Sequence, residues 1–218
     1  MSAILNKIHE YLVSMHPNED KEKLVAWYDS ASVNISMGIA EYAHRNQKQL
    51  NGKPYFEHCY DCLALYRHFV GIKLDDPYCI DSDLMNELGI PYEGAQEVCL
   101  LHDVLEDTDV TMDDIETVFT ELGLKTHFEV WIKYPLQQIT HDKLKDYDEY
   151  LGEVLKSKTA SIVKMADLVS NLNLTRLPIF GDIEMQRALK YIKCFAMINI
   201  VHKFLENVIE YKKRFEEG

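Results

Sequence analysis

Apolar residues return every three or four positions along most of this chain, and no run alternates apolar with polar as a half-buried strand does. That spacing lays apolar side chains along one stripe of a helix, so the expected fold is an all-α bundle. A Pro17-Asn18 break leads into the clearest case, in which Leu24, Tyr28, Ala31, Ile35, Ile39 and Tyr42 predict one long helix to about Gln49. Asn51-Gly52 then turns the chain. Pro54 suits a helix start, where its missing N–H had no partner, and a helix over 55–70 is expected to stop at Gly71. Residues 72–94, interrupted by Pro77 and Pro91, are expected to form a loop holding one short helix near 82–88. Further helices are expected over the Val98, Leu101, Leu105 stripe, over 112–122 behind a Thr111 cap that Asp114 closes, and over 147–155 and 159–174. Residues 125–142 read as a helix broken by Pro135. Past 178–181, one long helix is expected over 183–215.

Composition narrows the function. With 218 residues, 47% of them hydrophobic, the chain can bury a core as a single domain over 1–218. No secretory signal pattern and no membrane-length apolar run is present, so a cytoplasmic protein without a membrane partner is expected. Cys59, Cys62, Cys79, Cys99 and Cys194 are odd in number and lack framework spacing, which suits a reducing compartment without disulfides. The lone Cys59-x-x-Cys62 pair reads as helix packing. A net charge of −13 opposes binding to nucleic acid, and a phosphorylated small molecule needs local positive charge against that field.

Against this background, residues 100–111 stand out: LLHDVLEDTDVT places His102, Asp103, Glu106 and Asp107 in a stretch that otherwise reads as buried helix. Positions three and four apart share a helix face, so all four groups are expected on one edge. Burying them uncompensated costs several kcal/mol apiece, on the order of the penalty for any unpaired charge in a core, so an exposed face or a cation must satisfy them. Imidazole nitrogen with carboxylate oxygen suits manganese, iron or zinc, whereas calcium and magnesium prefer oxygen alone. Two ligands do not make a catalytic site. The best further candidates are His58, in KPYFEHC, and Asp167, which interrupts the apolar run of IVKMADLVSNL. Each has a plainer reading: an ion pair to Lys164 for Asp167, and a hydrogen-bonded core histidine for His58. His141-Asp142 reads as a chance dipeptide.

Three blocks in order resemble the HD superfamily of metal-dependent phosphohydrolases, and within it the hydrolase domain of RelA/SpoT-type alarmone enzymes and their small stand-alone homologues. AHRNQKQLNGKPYFEH is similar to the first block, LLHDVLEDTDVTMDDIETVF to the second and VKMADLVSNL to the third, and the similarity runs over about residues 35–180. The resemblance implies a single-domain HD-type helical bundle with a central metal site. It implies metal ligands at His58, His102, Asp103 and Asp167, catalytic acids at Glu106 and Asp107, and a substrate contact at Asn171. It also implies manganese as cofactor, with iron, zinc, nickel or magnesium as substitutes, and removal of pyrophosphate from the 3′ position of guanosine tetra- or pentaphosphate. Arg45, Lys48, Lys53, Lys164, Arg176 and Lys190 are candidate phosphate contacts against the acidic background, although most lysines are merely solvated.

Departures from the pattern bear on specificity. Lys48, Gln49 and Leu50 stand where the alarmone hydrolases carry paired basic residues used on guanine, and Leu168, Ser170 and Asn173 also depart. A phosphatase for another nucleotide or dinucleotide phosphate is therefore the alternative, with a non-catalytic binding module third. At 218 residues, no alarmone synthetase domain is expected beside the hydrolase.

Overall fold

The computed structural model describes residues 1–71, 82–91, 93–177 and 181–216. Among them every regular element is a helix; the one isolated bridge joins Lys48 to Pro54. Residues 72–81 and 92 of the expected loop over 72–94, with Pro77 and Cys79, lie outside the described residues, as does most of 178–181. The helices are α1 (Ala3–Met15), α2 (Lys21–Tyr28), α3 (Ser32–Ala43), α4 (Phe56–Phe69), α5 (Ser82–Leu88), α6 (Ala95–Leu101), α7 (Val104–Asp107) and α8 (Met112–Glu121). There follow α9 (Lys125–His127), a π-turn (Phe128–Ile132), α10 (Lys133–Ile139), α11 (Tyr147–Val154), α12 (Lys158–Asn171), a 3-10 turn (Leu174–Arg176), α13 (Asp182–His202) and α14 (Phe204–Glu216). No helix among the described residues is long and apolar enough to cross a membrane.

At the centre, α4, α6 and α12 pack on one another, with α3 against α6 and α13 against α12. Their facing residues are apolar and almost wholly buried: Cys62 and Leu63 of α4, Val98 and Leu101 of α6, Val163 and Ala166 of α12. Cys59, Cys62, Cys99 and Cys194 are free and buried, in keeping with a packing role. Gly94 caps α6 at φ +87°, and a Cβ there meets the Trp131 carbonyl oxygen at 2.3 Å, so the backbone crossing needs glycine.

Four expected helices are divided. The long helix over residues 19–49 splits at Asp29-Ser30-Ala31, where short polar side chains take over backbone groups: Ser30 Oγ donates to Trp27 O at 2.6 Å and Asn34 Nδ2 donates to the same oxygen at 3.0 Å. Its second half ends at Ala43. The stretch around residue 102 is not one helix, because α6 stops at Leu101 and α7 restarts at Val104. In 125–142 the π-turn, not Pro135, interrupts the helix; Pro135 sits in the first turn of α10, where its N–H is not needed. The terminal helix breaks at Lys203, which adopts φ +53°. The helix expected to reach 174 stops at Asn171. The Thr111–Asp114 capping box forms as the sequence indicates, and α5 falls at 82–88.

Candidate functional site

Each central helix contributes to one buried cluster. His58 lies in the first turn of α4, His102 and Asp103 occupy the break between α6 and α7, and Asp167 lies in the last turn of α12. His58 Nε2 is 3.1 Å from Asp167 Oδ1 and 3.5 Å from Asp103 Oδ2. His102 Nε2 is 3.1 Å from Asp103 Oδ2 and 3.6 Å from Asp167 Oδ1. Each imidazole nitrogen thus touches both carboxylates. Ligand atoms of His58, His102 and Asp167 lie within 4.8 Å of one another; Asp103 touches both imidazoles from outside that trio and is the member partly open to solvent. The break in the helix gives adjacent residues 102 and 103 access to the same point, which a straight helix denies to neighbours in sequence.

The other ring nitrogens are held from behind. His102 Nδ1 lies 2.8 Å from Cys99 O, so it carries the proton and donates. That leaves Nε2 to the cluster, where it is buried and has no well-aligned hydrogen-bond partner. His58 Nδ1 lies 3.1 Å from Ser170 Oγ and 3.3 Å from Arg176 Nη1. An orphaned buried imidazole nitrogen beside carboxylate oxygens is a donor set that fits a divalent transition metal. Electrostatics agree. Burial alone lowers the pKa of both histidines, but the carboxylates outweigh it and raise both. Burial alone raises Asp103 and Asp167, yet His102 holds Asp103 and Lys164 holds Asp167 well below the ordinary carboxylate range. A divalent cation taking the place of two protons keeps these charges balanced.

Around the cluster the remaining candidates separate. Lys164 Nζ pairs with Asp167 Oδ2 at 2.8 Å, so the ion pair and the cluster coexist. Asn171 Nδ2 donates to Asp167 Oδ1 at 2.6 Å. Glu106 is half-buried and accepts from His141 N at 3.1 Å; burial first, then the Asp103 and Asp107 charges, raise its pKa. His141-Asp142, set aside as a chance pair, therefore contributes a backbone N–H. Asp107 is exposed and pairs with Lys143 at 3.0 Å. Arg176 lines a cleft of about 160 Å³ beside His58, together with Gln49, Leu50, Tyr55, Asn171, Asn173 and Leu177, and is ion-paired to Asp61. Arg45 stacks on Tyr42 and meets Asp109 at 3.5 Å; Lys53 pairs with Glu57 at 3.1 Å; Lys48 is exposed; Lys190 lies 3.3 Å over the Tyr147 ring. Among the described residues, none of these four reaches the cluster by a hydrogen bond or ion pair.

Two residues to which sequence reasoning gave no role at the cluster touch it. Tyr55 donates to Asp103 Oδ2 at 2.8 Å, and its ring stands edge-on to His58. Ser170 holds His58. Both were signalled by spacing: Tyr55 lies three before His58, and Ser170 three after Asp167.

No protein-family model matches the chain. It is 26% identical over 151 residues to the guanosine-3′,5′-bis(diphosphate) 3′-pyrophosphohydrolase MESH1 of Mus musculus, covering 66% of this chain and 69% of that one. It is 27% identical over 157 residues to the protein of the same name from Drosophila melanogaster, covering 68% and 72%. The guanosine-3′,5′-bis(diphosphate) 3′-pyrophosphohydrolase of Aquifex aeolicus is 28% identical over 160 residues, covering 71% of this chain but 19% of that longer protein. Among solved structures, a metazoan ortholog of SpoT described as hydrolyzing ppGpp superposes with a TM-score of 0.51 at 20% identity, over 84% of this chain and 96% of that one, which shows a shared fold. In sequence and in fold, the chain is similar to the HD-type guanosine-3′,5′-bis(diphosphate) 3′-pyrophosphohydrolases.

Proposed function

We propose that the chain is a single-domain, cytoplasmic, metal-dependent phosphohydrolase that removes pyrophosphate from the 3′ position of guanosine tetra- or pentaphosphate. The observation that carries this reading is the convergence of His58 from α4, His102 and Asp103 from the break between α6 and α7, and Asp167 from α12, with Glu106 near enough to feel the Asp103 charge. Those four residues would hold the cation; their mixture of nitrogen and oxygen donors suits manganese, iron or zinc, and the family resemblance implies manganese. When bound, the cation supplies Lewis acidity toward a phosphoryl oxygen and makes a nearby water easier to deprotonate.

The protein's own groups do the rest. Glu106, its pKa raised by burial, accepts the proton of the attacking water as general base. Its orientation comes from the His141 N–H. Asp107, on the exposed side of the same turn, orients that water in competition with Lys143. Lys164 keeps Asp167 ionised, and Asn171 fixes its oxygen. Arg176, at the cleft mouth beside His58, is placed to receive phosphate oxygens.

One observation favours a second reading. The cleft is walled by Gln49, Leu50 and Asn173, which stand where the alarmone enzymes have basic residues, and by the apolar Leu177, so another nucleotide phosphate is the alternative substrate. Mn2+-loaded protein incubated with guanosine, adenosine and dinucleotide phosphates separates the two. Pyrophosphate release from guanosine tetraphosphate, abolished by Asp103→Ala, supports the first reading; turnover of another panel member alone supports the second.

A further inference from the structure

Between α3 and α4 runs a series of side chains that the proposed reaction does not yet use. Helix α7 is one turn long, so its last carbonyls have no helical partner and its own hydrogen bonds hold it weakly. One of those carbonyls, Asp107 O, accepts from Gln47 Nε2 at 2.5 Å. A carbonyl only accepts, so the Gln47 amide must turn Nε2 toward it and Oε1 toward the opposite side. There Oε1 meets His44 Nδ1 at 2.6 Å. The imidazole therefore carries its proton on Nδ1, and its buried Nε2 has no hydrogen-bond partner. His44 also packs against Tyr55, the rings tilted at 37° with centroids 4.8 Å apart, and Tyr55 is the residue that holds Asp103. Gln47 is pinned at both ends of its backbone, its N–H donating to His44 O at 2.9 Å and its carbonyl accepting from Tyr55 N at 3.0 Å.

We infer that Gln47, oriented by His44, is a positioning residue that clamps the turn from Asp103 to Asp107 and so keeps the Glu106 and Asp107 carboxylates aligned with the cluster of His58, His102 and Asp167. The inference rests on the phosphohydrolase reading for its kinetic consequence, though not for its geometry. Neither side chain touches the reacting atoms; both act through the backbone of α7.

The test compares Gln47→Met, Gln47→Glu, His44→Leu and His44→Asn with wild type, all loaded with Mn2+. Pyrophosphate release, metal content and amide hydrogen exchange over residues 103–108 are measured on the same samples. Gln47→Met is expected to lower kcat by about tenfold or more, the scale of one lost positioning hydrogen bond, with KM and metal content unchanged and exchange faster. Gln47→Glu follows it, because a carboxylate has no hydrogen to give Asp107 O. His44→Leu falls as far, whereas His44→Asn, whose Nδ2–H replaces Nδ1–H, recovers most of kcat. Wild-type kcat with wild-type exchange in Gln47→Met overturns the clamp. So does a loss of kcat matched by an equal loss of metal, or His44→Asn no better than His44→Leu. Wild-type protein inert on every nucleotide phosphate overturns the proposed function instead, and exchange over 103–108 then decides the clamp alone.

Discussion

The floor and the rim of the site obey different rules. On the floor, His58, His102 and Asp167 are buried, and their polar atoms are either turned into the cluster or answered by a partner, Ser170 of another helix for His58 and neighbours one turn away for His102 and Asp167. On the rim, Arg45, Lys53 and Lys143 meet whichever carboxylate stands nearest, Asp109, Glu57 or Asp107, at exposures where such pairs contribute about 0–1 kcal/mol. A buried charge is costly to leave unpaired, so it records its purpose; a solvated charge does not. Substitutions on the floor should therefore disturb metal, fold and chemistry together, and those on the rim at most substrate affinity.

The largest effect is expected from Asp167→Ala. It removes a proposed ligand and leaves Lys164 buried without its partner, which destabilises by about 3–5 kcal/mol. Metal content, turnover and thermal midpoint should all fall; a variant that keeps its metal and its midpoint breaks the contrast. Glu106→Gln comes next, because Glu106 stands between floor and rim. Turnover should drop by about 10²–10⁴-fold while metal and fold persist. Burial raises the Glu106 pKa, and a general base is lost as pH falls through it. The acid limb of kcat/KM is thus expected above the ordinary glutamate value and absent from Glu106→Gln. A limb unchanged in the variant assigns the proton to another group.

The same contrast explains what could be read from the sequence. His102, Asp103 and Asp167 were legible because each interrupts an apolar run, and the all-α fold because its stripes repeat at helical spacing. The breaks were not legible. Asp29-Ser30-Ala31 ends α2 through hydrogen bonds from Ser30 and Asn34 to the Trp27 carbonyl, which spacing does not reveal. At the turn at 102–103 Asp103 meets distant groups, Tyr55 and His58 among them, which spacing along the chain does not show. Lys203 breaks the terminal helix with a positive φ that no glycine announces. Rim contacts were least legible, since Arg45 and Lys53 find local acids that a chain-wide count of charges cannot rank.

Arg176 and Lys53 sharpen the comparison at its weakest end. Arg176 lines the cleft and reaches His58 Nδ1 as well as Asp61, so Arg176→Ala removes a proposed phosphate contact and is expected to raise KM about tenfold, with metal retained and kcat within a few-fold. Lys53, more than half exposed, pairs with Glu57 one helical turn along the chain. That pair is worth about 0.3–0.5 kcal/mol at most, so Lys53→Ala should leave KM, kcat and metal content alone and shift the thermal midpoint by no more than about 2 °C. If Lys53→Ala raises KM as far as Arg176→Ala does, the substrate reaches beyond the cleft to the loop at 50–54, and that part of the rim belongs to the site after all.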